Sequence, residues 1–176
     1  MDAVAKQAGV SKKTIYAQFD TKEELFEAIM RAHMEELSLP ALPPDADDAA
    51  AFESSVAGYI EQLGNAILGP TAVGLFRLSV SEAVRFPAIA EAFYREGAAR
   101  HIGHLETWLA RQHTRGLIAL DDPKAGAMMM TSFGILEPLR ANALGVRALP
   151  SPDEIKKRAR MAAKIFARGC VKPEKR

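Results

Sequence analysis

The sequence holds a single cysteine, Cys170, among 176 residues. No intramolecular disulfide can form and no zinc-finger spacing exists, so a reducing cytoplasm is the expected location. An apolar run of about 18 residues is also absent, which gives no expectation of a membrane span or a membrane partner. The chain opens on Met1-Asp2 and lacks the basic-then-apolar pattern of an export signal. Net charge is scarce: 23 Lys and Arg against 22 Asp and Glu leave +1. Composition alone therefore does not announce a nucleic-acid partner. No nucleophile–base pair, phosphate-cradling loop or pair of catalytic carboxylates can be assembled, so no catalytic residue is assigned and an enzyme is not expected. No cofactor and no metal site are expected either.

What is present is a helical texture. Hydrophobic residues make up 48% of the chain, enough for a sizeable core. Ala, Leu, Glu, Arg and Met dominate, and no alternating strand pattern persists. Gly9-Val10-Ser11 breaks a first short helix. Thr21 and Glu24 have capping-box spacing and start a helix running to about Ser38. Pro40, Pro43 and Pro44 then force a loop. A stripe of Phe52, Val56, Tyr59, Leu63 and Ile67 marks the next helix, closed by Gly69-Pro70. Helices over residues 71–86, 88–113 and 122–144 follow, the last with Pro138 inside it as an expected kink. Ser151-Pro152-Asp153-Glu154 opens the final helix. The fold class expected is all-α: a small helix-turn-helix head with its connecting helix over 1–38, and a helical-bundle body over 39–176.

The charge is unevenly placed. Residues 1–22 carry Lys6, Lys12, Lys13 and Lys22 against Asp2 and Asp20, and residues 156–176 carry nine Lys and Arg against Glu174. At the C-terminal end, Ile155, Ala159, Ala162 and Phe166 form an apolar stripe, so the cations there read as its solvated side. At the N-terminal end the pattern is more pointed. Gly9 allows the turn, Val10 plugs the junction, and Ser11 caps the second helix. Ile15 and Phe19, four apart, face inward. Lys12, Lys13, Thr14, Tyr16 and Ala17 then face outward, a set suited to phosphates and base edges in a major groove. Lys22, at the next helix start, is placed to clamp a flanking phosphate.

Ala8 through Leu25 closely resembles the DNA-binding signature of TetR-family (tetracycline-repressor-like) regulators, roughly Ala-Gly-Val-Ser-x-x-Thr-x-Tyr-x-x-Phe-x-x-Lys-Glu-x-Leu. The resemblance implies DNA contacts from Ser11, Lys12, Lys13, Thr14, Tyr16, Ala17 and Lys22, with Thr14, Tyr16 and Lys22 on the backbone. Ser81 to Pro87, Phe93-Tyr94, Arg115-Gly116 and Asp122-Pro123 look like the regulatory domain of one TetR subgroup. That implies an effector pocket, a small-molecule effector of unassigned identity, and two final helices that dimerise. The family head has three helices, and the pair here begins almost at Met1. Residues upstream of Met1 are expected to supply the first, and without it Val4, Ala8, Ile15, Phe19 and Phe26 should be partly uncovered.

The function expected is a ligand-responsive repressor that binds operator DNA as a homodimer. A TetR-fold small-molecule binder with weak or no DNA binding is the alternative, and a helical enzyme is a distant third. The expected pocket lining is Tyr59, Leu63, Phe76, Phe93, His104, Trp108 and Phe133, although Tyr59 and Trp108 read equally as core. His101 and His104 share a helix face and form a possible metal pair, but one exposed and one pocket-lining imidazole is the simpler reading. The dimer face is expected from Met129, Phe133 and Leu136 or Met128, Ile135 and Leu139, joined by Ile155, Ala162 and Phe166.

Overall fold

The computed structural model describes residues 1–36 and 40–172. Among them are the helices α1 (Asp2–Ala8), α2 (Lys12–Tyr16), α3 (Lys22–Glu36), α4 (Ala49–Ile67) and α5 (Pro70–Glu82). Then come α6 (Pro87–Phe93), α7 (Ala99–Thr114), α8 (Pro123–Thr131), α9 (Glu137–Ala143) and α10 (Pro152–Cys170). No strand occurs among the described residues, only an isolated bridge between Ile118 and Val171. The fold is all-α. The expected end of α3 near Ser38 lies outside the described residues, as do the last residues of the basic tail.

Local chemistry sets the helix ends. Ser11 accepts a hydrogen bond from Thr14 N at 3.0 Å, and Glu24 N donates to Thr21 Oγ1 at 3.1 Å. Asp48 caps α4 and Asp122 caps α8 through the backbone N–H three residues on. Ser151 and Glu154 complete a reciprocal capping box on α10.

Two stretches expected as single helices, the second with a kink at Pro138, each contain a π-helical turn. One, Tyr94–Ala98, separates α6 from α7, and the other, Ser132–Leu136, separates α8 from α9. Pro138 gives a physical cause for the second. It has no N–H to offer the carbonyl four residues back, that of Gly134. Arg158 of α10 supplies donors there instead, with Nε 3.4 Å from Gly134 O and Nη2 3.5 Å from Phe133 O. Gly134 is also a close approach: a Cβ there would collide with the Ile60 side chain of α4.

The main core joins α4, α7, α8 and α10. Phe52 and Trp108 stack at its centre, ring centroids 5.3 Å apart and 11° from parallel. Trp108 Nε1 donates to Pro44 O at 3.1 Å and Gln112 Oε1 accepts from Ala46 N at 3.1 Å, fastening the proline-rich loop onto α7. A second cluster holds α3 against α5 and α6 through Phe26, Met30, Leu75, Ile89 and Ala92. This corrects the expectation that Phe26 would be uncovered: the body covers it. Ile15 is buried as well, Phe19 is half-buried, and Val4 and Ala8 are exposed.

Candidate DNA-reading surface and cavity

The turn between α1 and α2 works because Gly9 sits at φ 67°, a left-handed conformation that a side chain disfavours. The short helix that follows buries Ile15 and exposes Lys12, Lys13, Thr14, Tyr16 and Ala17. Sequence reasoning placed those residues outward, and each of them is exposed. Their present partners differ. Ser11 spends its hydroxyl on the cap and on Thr14 Oγ1, 2.8 Å away. Lys12 reaches Asp2 at 2.9 Å; its hydrogen bond and charge hold the Asp2 carboxyl below the usual range. Both side chains are exposed, so a stronger anion can displace Asp2 at small cost. Lys13 has no ion pair among the described residues. Lys22 reaches the body, meeting Glu82 at 2.5 Å, and stays partly exposed.

Between α3, α5, α7 and α8 lies a cavity of about 270 Å³. Both π-helical turns contribute to its wall, Tyr94, Gly97 and Ala98 from one and Ser132, Ile135 and Leu136 from the other. Widened helical turns beside a cavity are a recurrent functional arrangement. From α3 come Met30 and His33. The wall is apolar apart from two imidazoles, two hydroxyls and Tyr94, and it contains no Lys, Arg, Asp or Glu. Burial pushes the His101 imidazole down to about 4 despite a hydrogen bond to the Gly97 backbone. It is therefore neutral at ordinary pH.

The expected lining is largely corrected. Phe93 lines this cavity, and Phe76 packs behind it with ring centroids 5.8 Å apart. Tyr59, Leu63 and Trp108 are core residues further along the buried faces of α4 and α7 than the cavity-lining Ile67 and His101, sealed by their neighbours. Burial drives the Tyr59 hydroxyl up to about 12, and its nearest acceptor is His101 O at 3.4 Å. The two histidines exchange roles: His101 is buried at the cavity and His104 is exposed. They diverge rather than share a metal site. Phe133 is 49% exposed on the outer surface. His33 was missed because α3 read as a connector; only its place one helix turn beyond Met30 hinted at an inner face.

A third feature is an exposed apolar face. Met129, Phe133 and Leu136 stand out from the α8–α9 segment, each about half exposed. Met161 and Ile165 stand out from α10, which Arg158 holds against the same segment. The expected contributors Ile155 and Ala162 are buried within the chain's own core instead, and Met128, Ile135 and Leu139 line the cavity.

Residues 1–29 match the family model described as bacterial regulatory proteins of the tetR family, and residues 55–169 match the C-terminal domain of AefR-like transcriptional repressors. Solved structures agree. A flavonoid-responsive regulator, FrrA, is 29% identical, with 99% of this chain and 87% of that chain covered and a TM-score of 0.76. A TetR transcriptional regulator from Agrobacterium tumefaciens is 17% identical over 98% of this chain and 84% of that one, TM-score 0.83. A TetR-family regulator from Pseudomonas syringae is 21% identical over 98% and 86%, TM-score 0.77. Curated protein sequences give no match. The chain belongs to the TetR family of transcriptional regulators. It acts in transcription through DNA binding and is not an enzyme. No single helix among the described residues is long and apolar enough to cross a membrane.

Proposed function

We propose that this protein is a dimeric repressor, released from operator DNA when a small molecule fills the cavity. The observation that carries the reading is the course of α3. It starts directly after the DNA-reading unit and, within the same helix, contributes Met30 and His33 to the cavity wall. An occupant that moves this wall acts on the element that carries the head. The head, residues 1–38, supplies Lys12, Lys13, Thr14 and Tyr16 to a major groove, with Ser11 and Ala17 at its edges and Lys22 on a flanking phosphate. The body, residues 39–176, sets the spacing of two heads near one DNA turn, about 34–36 Å. The exposed face of Met129, Phe133, Leu136, Met161 and Ile165 supports pairing with a second copy, because such a patch is costly in water. An effector that favours a mismatched spacing lowers DNA affinity by its differential binding to the two states. The flavonoid response in the name of FrrA supports a small-molecule effector of similar apolar character. Cytoplasmic action follows from the DNA partner.

Selection from a random duplex pool with the full-length protein tests the reading. Enrichment of an inverted repeat is expected. A pool that stays random, together with ligand binding in the cavity, would favour a small-molecule binder on the same fold.

A further inference from the structure

We propose that the cavity selects an uncharged, largely apolar molecule carrying a hydroxyl group, and that His33 is the residue that reads the hydroxyl. The inference rests on the cavity being the effector site. Its first support is the wall itself, which holds no formally charged side chain to balance an anion or a cation. Burying an uncompensated charge is far more costly than burying a hydroxyl that finds a partner.

The second support is one atom. His33 Nε2 is shut off from solvent and has no hydrogen-bond partner among the described residues. The other polar side chains of the wall each already have a partner. Thr131 Oγ1 lies 3.0 Å from Ala127 O, and Ser132 Oγ donates to Met128 O at 2.7 Å. The His101 ring is engaged by the Gly97 backbone, and Tyr94 is 54% exposed, where water serves its hydroxyl. A buried polar atom left alone is unfavourable, so an occupant that satisfies it gains beyond its apolar burial. Nε2 donates in one neutral tautomer and accepts in the other. A hydroxyl meets both, whereas a carboxylate only accepts and an ammonium only donates. His33 belongs to α3, so the group that reads the ligand sits on the helix that carries the head.

Calorimetry of the full-length protein with 1-naphthol, 1-naphthoate and naphthalene tests this, since the three share one ring skeleton. 1-Naphthol should bind at least about tenfold more tightly than either of the others. His33→Phe should lower the 1-naphthol affinity by about tenfold and leave naphthalene within about twofold, which also reports an intact cavity. Equal binding of 1-naphthoate, or an undiminished preference for 1-naphthol in His33→Phe, overturns the inference while leaving the effector site in place. Ala98→Trp separates the two failures by filling the cavity. Binding of 1-naphthol that survives Ala98→Trp, or binding of none of the probes to the unaltered protein, overturns the effector-site reading along with the inference.

Discussion

Lys22 Nζ stands 2.5 Å from Glu82 Oε2 and 4.7 Å from the centroid of the Phe86 ring. The residue expected to clamp a DNA phosphate is thus held by the C-terminal end of α5, a helix whose N-terminal half lines the cavity. The hydrogen bond from Lys22 and its charge keep the Glu82 carboxyl below the usual range. Glu82 and a phosphate compete for one ammonium. Glu82→Gln should therefore strengthen DNA binding a few-fold, about 1 kcal/mol or less, and steepen its salt dependence. Fluorescence anisotropy at two salt concentrations checks this, and an unchanged affinity would show that Lys22 does not reach the DNA.

Stability should fall as the solution is acidified from pH 6.5 to 4, and His101 supplies the reason. Its folded-state value is depressed from 6.5 to about 4 by burial, so between those values the unfolded chain binds more protons than the native one. Stability then rises with pH across this window, by about 3 kcal/mol at full effect. Thermal melts across the range should show the slope, and His101→Gln should flatten it. Below this window, Asp45 adds a further loss: hydrogen bonds from Arg111 and then Gln112 hold its carboxyl low, and that stabilisation disappears as it protonates.

Trp108→Ala should act on stability before it acts on ligand binding. The ring is fully buried, stacked on Phe52 and tied to Pro44 O, on the buried face of α7 about two turns beyond the cavity-lining His101. A loss of about 3–5 kcal/mol in chemical denaturation is expected. An undamaged fold with altered ligand affinity would restore Trp108 to the lining.

Phe133→Asp or Ile165→Asp should give a monomer in light scattering at micromolar concentration. Each places a carboxylate in the exposed apolar face and replaces a side chain that is already about half exposed, so the folded monomer is expected to survive. A dimer that persists in both variants would place the interface elsewhere.

The turn at Gly9, the cap at Ser11 and the capping box of Ser151 and Glu154 were all legible, because each is fixed by residues within a few positions of one another. The outward set on α2 was legible for the same reason: burying Ile15 leaves Lys12, Lys13 and Tyr16 no other side. The cavity was not. Which flank of α7 faces it depends on how that helix is rotated against α3, and sequence periodicity gives a stripe without naming its neighbour. His101 and His104 are three apart, and that rotation alone decides which is buried. Tyr59 and Trp108 suit a pocket and a core equally well. The π-helical turn before Pro138 required a donor from Arg158, which is distant in sequence.

The central claim is that α2 reads DNA. Anisotropy titrations of a duplex selected from a random pool, run from 50 to 200 mM salt with the full-length protein, test it most directly. The account predicts that the unaltered protein binds the selected duplex about a thousandfold or more tightly than an unrelated one. It also predicts that Lys12→Ala with Lys13→Ala lowers the salt slope by about 2 and weakens binding, since each lost phosphate contact removes about one unit. Tyr16→Phe should weaken binding without changing that slope. An identical slope and affinity in the double variant would contradict the account and move the DNA contact away from α2.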